Sequence, residues 1–287
     1  MADPSLSIVV GSNGAPGSVE GCLAALAGQV DGAEVIVCEP AASGEDVRAA
    51  FPGVRFLERA GALVPELWRD GIDAAAGDAV ALTISPMRPA HDWVARLRER
   101  LAGDEVVAGA IDPGDDLRVV DWAEYFCRYA RDMRPFARRE NGEIPGDNCA
   151  YRRELLERTR ELYRGGFWEP EVNRALRADG VELWHDPEIV VFQGRSAGFD
   201  AFFRQRLGHG RAYGRQRGAR FGAGRNVAGV VLAAVVPFVL VARTAGEVFS
   251  RRRCRGRFLV ALPALFAFDF AWAAGEAMGH LDTLRGR

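Results

Sequence analysis

Two strand ends carry residues whose types can do chemistry. Glu39 closes the run Glu34-Val35-Ile36-Val37-Cys38, where a carboxylate can accept hydrogen bonds from a ligand edge, unless it is only a solvated loop acid. Gly11-Ser12 follows the β-branched run Leu6–Val10, and a glycine there lets backbone groups come close to a ligand. His185-Asp186 has the form of a base with its orienting acid. No serine or cysteine nucleophile is suggested by an adjacent motif, so His185 reads as a turn residue before the strand Ile189–Phe192. His209 lies in a basic segment, available to phosphate. Cys22, Cys38, Cys127, Cys149 and Cys254 form no CxxC pair and, with four histidines, give no zinc spacing. A reduced, cytoplasmic compartment follows as the simplest expectation. All 37 basic residues are arginines, which excludes Schiff-base chemistry and a Walker-type phosphate lysine.

The elements that must hold these residues alternate at short intervals. Strands are expected at Leu6–Val10, Glu34–Cys38, Val54–Leu57, Ala79–Ile84 and Glu105–Ile111, and helices at Val19–Gln29, Glu45–Ala50, Val64–Ala76 and Trp93–Leu101. That alternation predicts an α/β fold with a Rossmann-like, mostly parallel sheet flanked by helices. Its ligands would sit beyond the carboxyl ends of the strands, where Gly11-Ser12, Glu39 and Ser85-Pro86 all lie. Asp121–Arg134 shows an aromatic face (Trp122, Tyr125, Phe126, Tyr129) that either packs in the core or walls an acceptor site. Tyr151–Leu162 and Glu171–Ala178 read as polar helices.

The near-neutral total charge of −2 hides an asymmetry. Residues 201–287 carry fifteen arginines against four acids, whereas the first 200 residues hold 22 arginines against 35 acids. An acidic body of residues 1–200 is thus expected to be joined to a basic, apolar region of residues 201–287 that faces an anionic membrane surface or phosphate groups. No nucleic-acid partner is expected, because the basic part lacks a recognition motif and interleaved stacking aromatics. The apolar runs Val227–Ala242 and Phe258–Ala274 are each shorter than the about 20 residues of a comfortable membrane span, and Pro237, Pro263 and Asp269 interrupt them. The arginines of Arg243–Arg257 would oppose the positive-inside tendency if the first run crossed. An in-plane or re-entrant hairpin on the cytoplasmic leaflet is therefore preferred to two spanning helices or a buried helical pair. The N-terminus lacks the pattern of a signal peptide, so a start in the cytosol is expected.

Leu6-Ser7-Ile8-Val9-Val10-Gly11-Ser12, Glu34–Glu39, Gly71-Ile72 with Ala76-Gly77-Asp78, and Pro89 with Asp92-Trp93 together resemble the nucleotide-binding half of a family 2 glycosyltransferase of the GT-A fold. Pro145-Gly146-Asp147-Asn148-Cys149-Ala150-Tyr151-Arg152-Arg153 is similar to the family segment that approaches the donor sugar. Gly166-Phe167-Trp168-Glu169, with Leu176 and Gly180, resembles the stretch carrying the catalytic acid. Gln205-Arg206 with Gly210-Arg211 and the apolar runs resemble members that work beside the membrane on lipid-linked acceptors.

The resemblance implies transfer of a sugar, with inversion, from a UDP- or GDP-linked donor to a lipid-linked or membrane-proximal acceptor at the cytoplasmic face of the membrane. It implies Glu169 as the base, with Glu171 as the fallback, and a donor site made of Gly11, Ser12, Glu39, Asp78, Ser85 and Asn148. Family members usually end the fourth strand with an Asp-x-Asp-like motif that holds Mg2+ or Mn2+ against the diphosphate. Here that position reads Ile84-Ser85-Pro86, which leaves the metal ligands unassigned and puts Arg88, Arg206 and Arg211 forward as diphosphate contacts. The same departure supports a competing reading, a catalytically silent GT-A-like binding or scaffold protein. A third is a nucleotide-binding module whose tail forms an obligate dimer.

Overall fold

The computed structural model describes residues 4–195 and 198–286. Contacts divide the chain into two compact units, one of residues 4–114 and 132–194, the other of 115–131, 195 and 198–286.

The first unit is built on a mixed sheet. Strands Leu6–Gly11 (β1), Ala33–Glu39 (β2), Arg55–Glu58 (β3) and Ala79–Ile84 (β4) pair in parallel in the order β3-β2-β1-β4. Helices Ser18–Leu26 (α1), Glu45–Ala50 (α2) and Val64–Ala74 (α3) connect them. Every residue of β1 and β4 is buried, which is why both read as continuous apolar runs rather than alternating ones. Next come Met87–Pro89 (β5), Trp93–Leu101 (α4) and Val106–Pro113 (β6), after which the chain leaves for the other unit as Val119–Tyr129 (α5). It returns as Arg139–Glu140 (β7), Asn148–Arg152 (β8), Arg153–Arg158 (α6), a 3-10 turn at Arg160–Tyr163, Glu169–Ala178 (α7) and Leu183–Gln193 (β9). β8 inserts antiparallel between β4 and β6, and β6 and β9 are parallel.

Three expectations needed correction here. Tyr151 lies in β8, not in a helix: Asn148–Tyr151 are fully buried between two strands, and the polar helical pattern begins only at Arg153. His185 is no turn residue. It sits in β9, buried and opposite Ala108, because the register shift between Gly109 and Ala110 absorbs residues 187–189 as a bulge where the sequence Asp186-Pro187 suggests a strand boundary. The helix α5 ends at Tyr129, and by Asp132 the backbone is back at the sheet, its carbonyl accepting from Ile111 N at 3.0 Å.

The second unit is helical: α5, Phe199–Ala219 (α8), Ala223–Leu232 (α9), Val236–Arg251 (α10) and Arg255–Leu284 (α11). The aromatic face of α5 packs, with Tyr125, Phe126 and Tyr129 buried and Phe126 meeting Phe258 edge-on at 5.3 Å. α8 and α11 approach along facing glycines. A Cβ at Gly214 would lie 2.2 Å from Glu276 O, one at Gly210 2.2 Å from Trp272 O, and one at Gly279 2.3 Å from Arg211 O. The apolar runs are arranged differently from the expectation. The first is broken at residues 233–235, between α9 and α10, rather than at Pro237, which opens α10 where a missing N–H costs nothing. The second is one unbroken helix of 30 residues, about 45 Å long, that runs through Pro263. By length and composition α11 can cross a membrane, and α9 with α10 passes the same test as a pair bent by 61°.

Candidate functional site

At the carboxyl ends of β1, β2 and β4, backbone pairing gathers Gly11, Ser12, Glu39 and Ser85. Ser12 N donates to Cys38 O at 2.7 Å and Ser85 N to Gly11 O at 3.0 Å, which prolongs the parallel ladders by one residue on each side. The side chains there form a neutral hydroxyl and amide cluster. Ser85 Oγ lies 2.8 Å from Ser18 Oγ and donates to Asn13 Oδ1 at 3.3 Å, while Ser12 Oγ accepts from Gly14 N at 3.2 Å. Ser85 is fully buried.

Glu39 is also buried, and its carboxylate is held by its own loop. Ser43 N donates to Oε2 at 3.0 Å, Ser43 Oγ donates to the same oxygen, and Arg48 reaches Oε1 while bridging to Glu58 at 2.6 Å. A carboxylate has about four acceptor positions, so capacity remains on Oε1 for one further donor. Burial pushes the neighbouring Cys38 thiol up to about 12, which keeps it neutral beside Glu39.

Trp68, on α3, joins this edge to the candidate base. Its Nε1 donates to Thr83 O at 2.9 Å, and a Cβ on Gly11 would meet the same nitrogen at 3.0 Å. On its far side a Cβ on Gly146 would stand 3.0 Å from both Trp68 Cη2 and Glu169 Cδ. The half-buried Glu169 opens α7, and the preceding segment docks on the start of α3 through Phe167 N to Pro65 O at 2.7 Å. Gly166 is required in that segment because its φ of 146° is one that side chains rarely adopt. The helix N-terminus favours the ionised carboxylate. Behind it, burial followed by the charge of Glu169 raises the Cys149 thiol, and burial raises the Tyr151 phenol, so both stay protonated. Glu171 is half-buried two residues further on.

The remaining candidates are placed elsewhere. Asn148 pairs with Thr83 at this edge, but its amide is committed: Oδ1 accepts from Trp93 Nε1 at 2.8 Å, and Nδ2 donates to Ala110 O and Ile189 O at 2.8 and 3.0 Å. It ties three strands together. Asp78 lies at the amino end of β4, where it accepts from Ser5 N and Oγ at 3.1 and 2.8 Å. Five strand residues separate it from the edge described above, about 17 Å. Arg206 and Arg211 belong to the helical unit and pair with carboxylates of α11, Asp269 at 3.5 Å and Asp282 at 2.7 Å. His185 Nε2 lies 3.1 Å from Gly109 O inside the sheet. Trp68 was not singled out from sequence, because a tryptophan at helical spacing reads as core, and Gly146 entered only as part of the segment that resembles the donor-sugar stretch; their neighbours Gly11 and Thr83 come from β1 and β4.

Among the described residues no three His, Cys, Asp or Glu side chains converge to hold a metal ion. Thr83 and Ser85 end β4 with hydroxyls, and Thr83 Oγ1 is donated to Asp147 O at 3.0 Å. The residues present therefore do not fit the acidic metal site that the resemblance implies.

No family model and no curated protein sequence matches the chain. Solved structures do match in fold. The mannosyltransferase PcManGT from Pyrobaculum calidifontis, in complex with GDP-Man and Mn2+, is 16% identical with a TM-score of 0.53, and the match covers 96% of this chain and 88% of that one. GalNAc-T7, with UDP, GalNAc and Mn2+, is 14% identical with a TM-score of 0.51, and the match covers 67% of this chain but only 43% of that one. The chain has the GT-A-type fold of these nucleotide-sugar glycosyltransferases, a mixed α/β sheet flanked by helices, followed by an apolar C-terminal helix.

Proposed function

We propose that this chain is an inverting glycosyltransferase that moves a sugar from a UDP- or GDP-linked donor to a lipid-linked or membrane-proximal acceptor. The observation that carries the reading is that the carboxyl of Glu169 and the indole of Trp68 both close on Gly146, with Trp68 bonded to the end of β4 and lying beside that of β1, in a fold shared with two transferases whose structures hold nucleotide ligands. Glu169 takes the proton from the acceptor hydroxyl as its oxygen attacks the anomeric carbon. The bond from that carbon to the diphosphate breaks, and the nucleoside diphosphate leaves with the electron pair. Gly11 and Ser12 line the approach of the nucleotide, and Glu39 offers Oε1 to the base or ribose edge.

The membrane part of the reading is supported by the helical unit. Val227, Val231, Leu232, Val235, Phe238, Leu259 and Val260 are each more than half exposed on α9, α10 and α11 or at the break between them. Large apolar side chains exposed together on neighbouring helices suit insertion into a lipid surface, and Arg220, Arg225, Arg243, Arg252, Arg255 and Arg257 are exposed beside them in sequence. Apolar insertion with arginines at the headgroups suits the cytoplasmic, anionic face of a membrane.

Incubating the full chain in phosphatidylglycerol vesicles with UDP- and GDP-sugars and a lipid extract should label a lipid product of inverted anomeric configuration. The silent-scaffold reading draws on the loss of acid at Ser85, and it predicts donor binding with no product.

A further inference from the structure

We infer that the donor diphosphate is held by the guanidinium of Arg88 in place of a divalent ion; the inference rests on the donor-binding reading above. Four observations carry it. First, the two side chains that would offer metal ligands at the end of β4 are Thr83 and Ser85, whose hydroxyls are already engaged with Asp147 O and with Ser18 and Asn13. Neutral hydroxyls in a closed hydrogen-bonded cluster are poor substitutes for the carboxylates a hard divalent cation prefers.

Second, Arg88 is anchored beside that cluster. Its Nη1 donates to Ser85 O at 3.1 Å, Met87 O at 3.2 Å and Ser18 O at 3.5 Å, which ties the side chain to the end of β4 and the first turn of α1. Third, only one nitrogen is used. Among the described residues Nε and Nη2 make no hydrogen bond, and no carboxylate lies within ion-pairing distance of this part-buried guanidinium. Its charge is fixed but uncompensated, and the free edge of an arginine fork matches two phosphate oxygens.

Fourth, the fold keeps room for it. A Cβ on Gly21 would fall 2.2 Å from Nη2 and 2.7 Å from Nε, so a side chain there would displace the guanidinium. A serine at position 85, where the resemblance implies an acid, and an unpaired cation three residues later act in a consistent direction. An acidic pair with a divalent cation sums to no net charge but turns the cation toward the diphosphate, and a serine with an arginine turns a cation toward it without the ion. The arginine is oriented before the ligand arrives, so it stabilises the leaving diphosphate without reorganisation.

The test is a calorimetric titration of UDP, GDP and the matching monophosphates into the purified full chain, once in EDTA and once in Mn2+. The expected result is tight diphosphate binding whose Kd agrees within about twofold between the two conditions, with the monophosphate much weaker. Arg88→Gln should weaken the diphosphate about thirtyfold and leave the monophosphate nearly unchanged, the size of a lost charge-assisted pair. Gly21→Ala, which displaces Nη2, should move the diphosphate in the same direction by a smaller factor. Tightening by Mn2+ of tenfold or more would overturn the inference while upholding donor binding, and so would an Arg88→Gln protein that binds as the wild type does. If Arg88→Gln does not fold, the comparison of EDTA with Mn2+ on the unaltered chain still decides. Binding of no nucleotide under either condition would overturn the donor reading itself, and the inference with it.

Discussion

Arg88 in the sheet unit and Arg211 in the helical unit are both arginines of a lysine-free chain, yet the two regions treat their charges in opposite ways. In the helical unit each buried carboxylate of α11 meets an arginine of α8: Asp269 with Arg206, Glu276 with Arg217 at 3.0 Å, and Asp282 with Arg211 and Arg215, both at 2.7 Å. Those pairs lie along a seam of glycines where backbones nearly touch, so the charges register two helices against one another and are consumed in doing so. Arg206 is further fixed by stacking on Trp272 at 4.4 Å. At the strand ends of the sheet unit the polar groups are mostly neutral hydroxyls, and the arginine next to them has no acid partner. An arginine's use is thus decided by whether a carboxylate neutralises it, which residue type alone does not reveal.

The contrast can be broken by substitutions graded in expected effect. Gly214→Leu should be the most disruptive structural change, since a Cβ there already collides with the Glu276 carbonyl; a loss of about 3 kcal/mol or more in denaturant unfolding is expected. Unfolding at the wild-type midpoint would show that the seam is looser than described. Arg48→Ala removes the cation from buried Glu39 and should cost about 2 kcal/mol, moderated because Arg48 is one-third exposed. It should also weaken nucleotide binding, since the loop at Ser43 loses its anchor. Arg211→Gln sharpens the comparison from the other side. Arg215 still reaches Asp282, so a stability loss below about 1 kcal/mol and an unchanged nucleotide Kd are expected, and a tenfold weaker Kd would return Arg211 to the donor site. Asp78→Ala should change the Kd least, by less than about twofold, because the carboxylate works at the opposite edge of the sheet. Calorimetry on that variant tests whether Asp78 takes part in donor binding.

Much of the sheet was readable in the sequence because β1 and β4 are wholly buried and β2 largely so, while β3 lies at the edge. β1 to β4 and the helices between them follow from apolar runs and helical spacing within a residue or two at most ends. β8 was not readable, since five residues of strand run directly into the polar helix at Arg153 and only β4 and β6 on either side make Asn148–Arg152 extended. Asn148 shows the same limit at the level of a site. Its amide has the chemistry of a ligand contact, but Trp93, Ala110 and Ile189, all remote in sequence, take its hydrogen bonds. Glu39, Gly11 and Ser85 could be located because a strand end is a local feature. Arg206 and Arg211 could not be assigned, because the acids that neutralise them lie 63 and 71 residues away on another helix.

The most direct test of the central claim compares Glu169→Gln with Glu171→Gln in the vesicle transfer assay, alongside donor binding by each protein. Glu169→Gln should lower kcat by about a thousandfold with donor Kd held within about twofold, and Glu171→Gln should stay within about tenfold of wild type. Turnover by Glu169→Gln at the wild-type rate, or its collapse in Glu171→Gln alone, would contradict the assignment of Glu169 as the base.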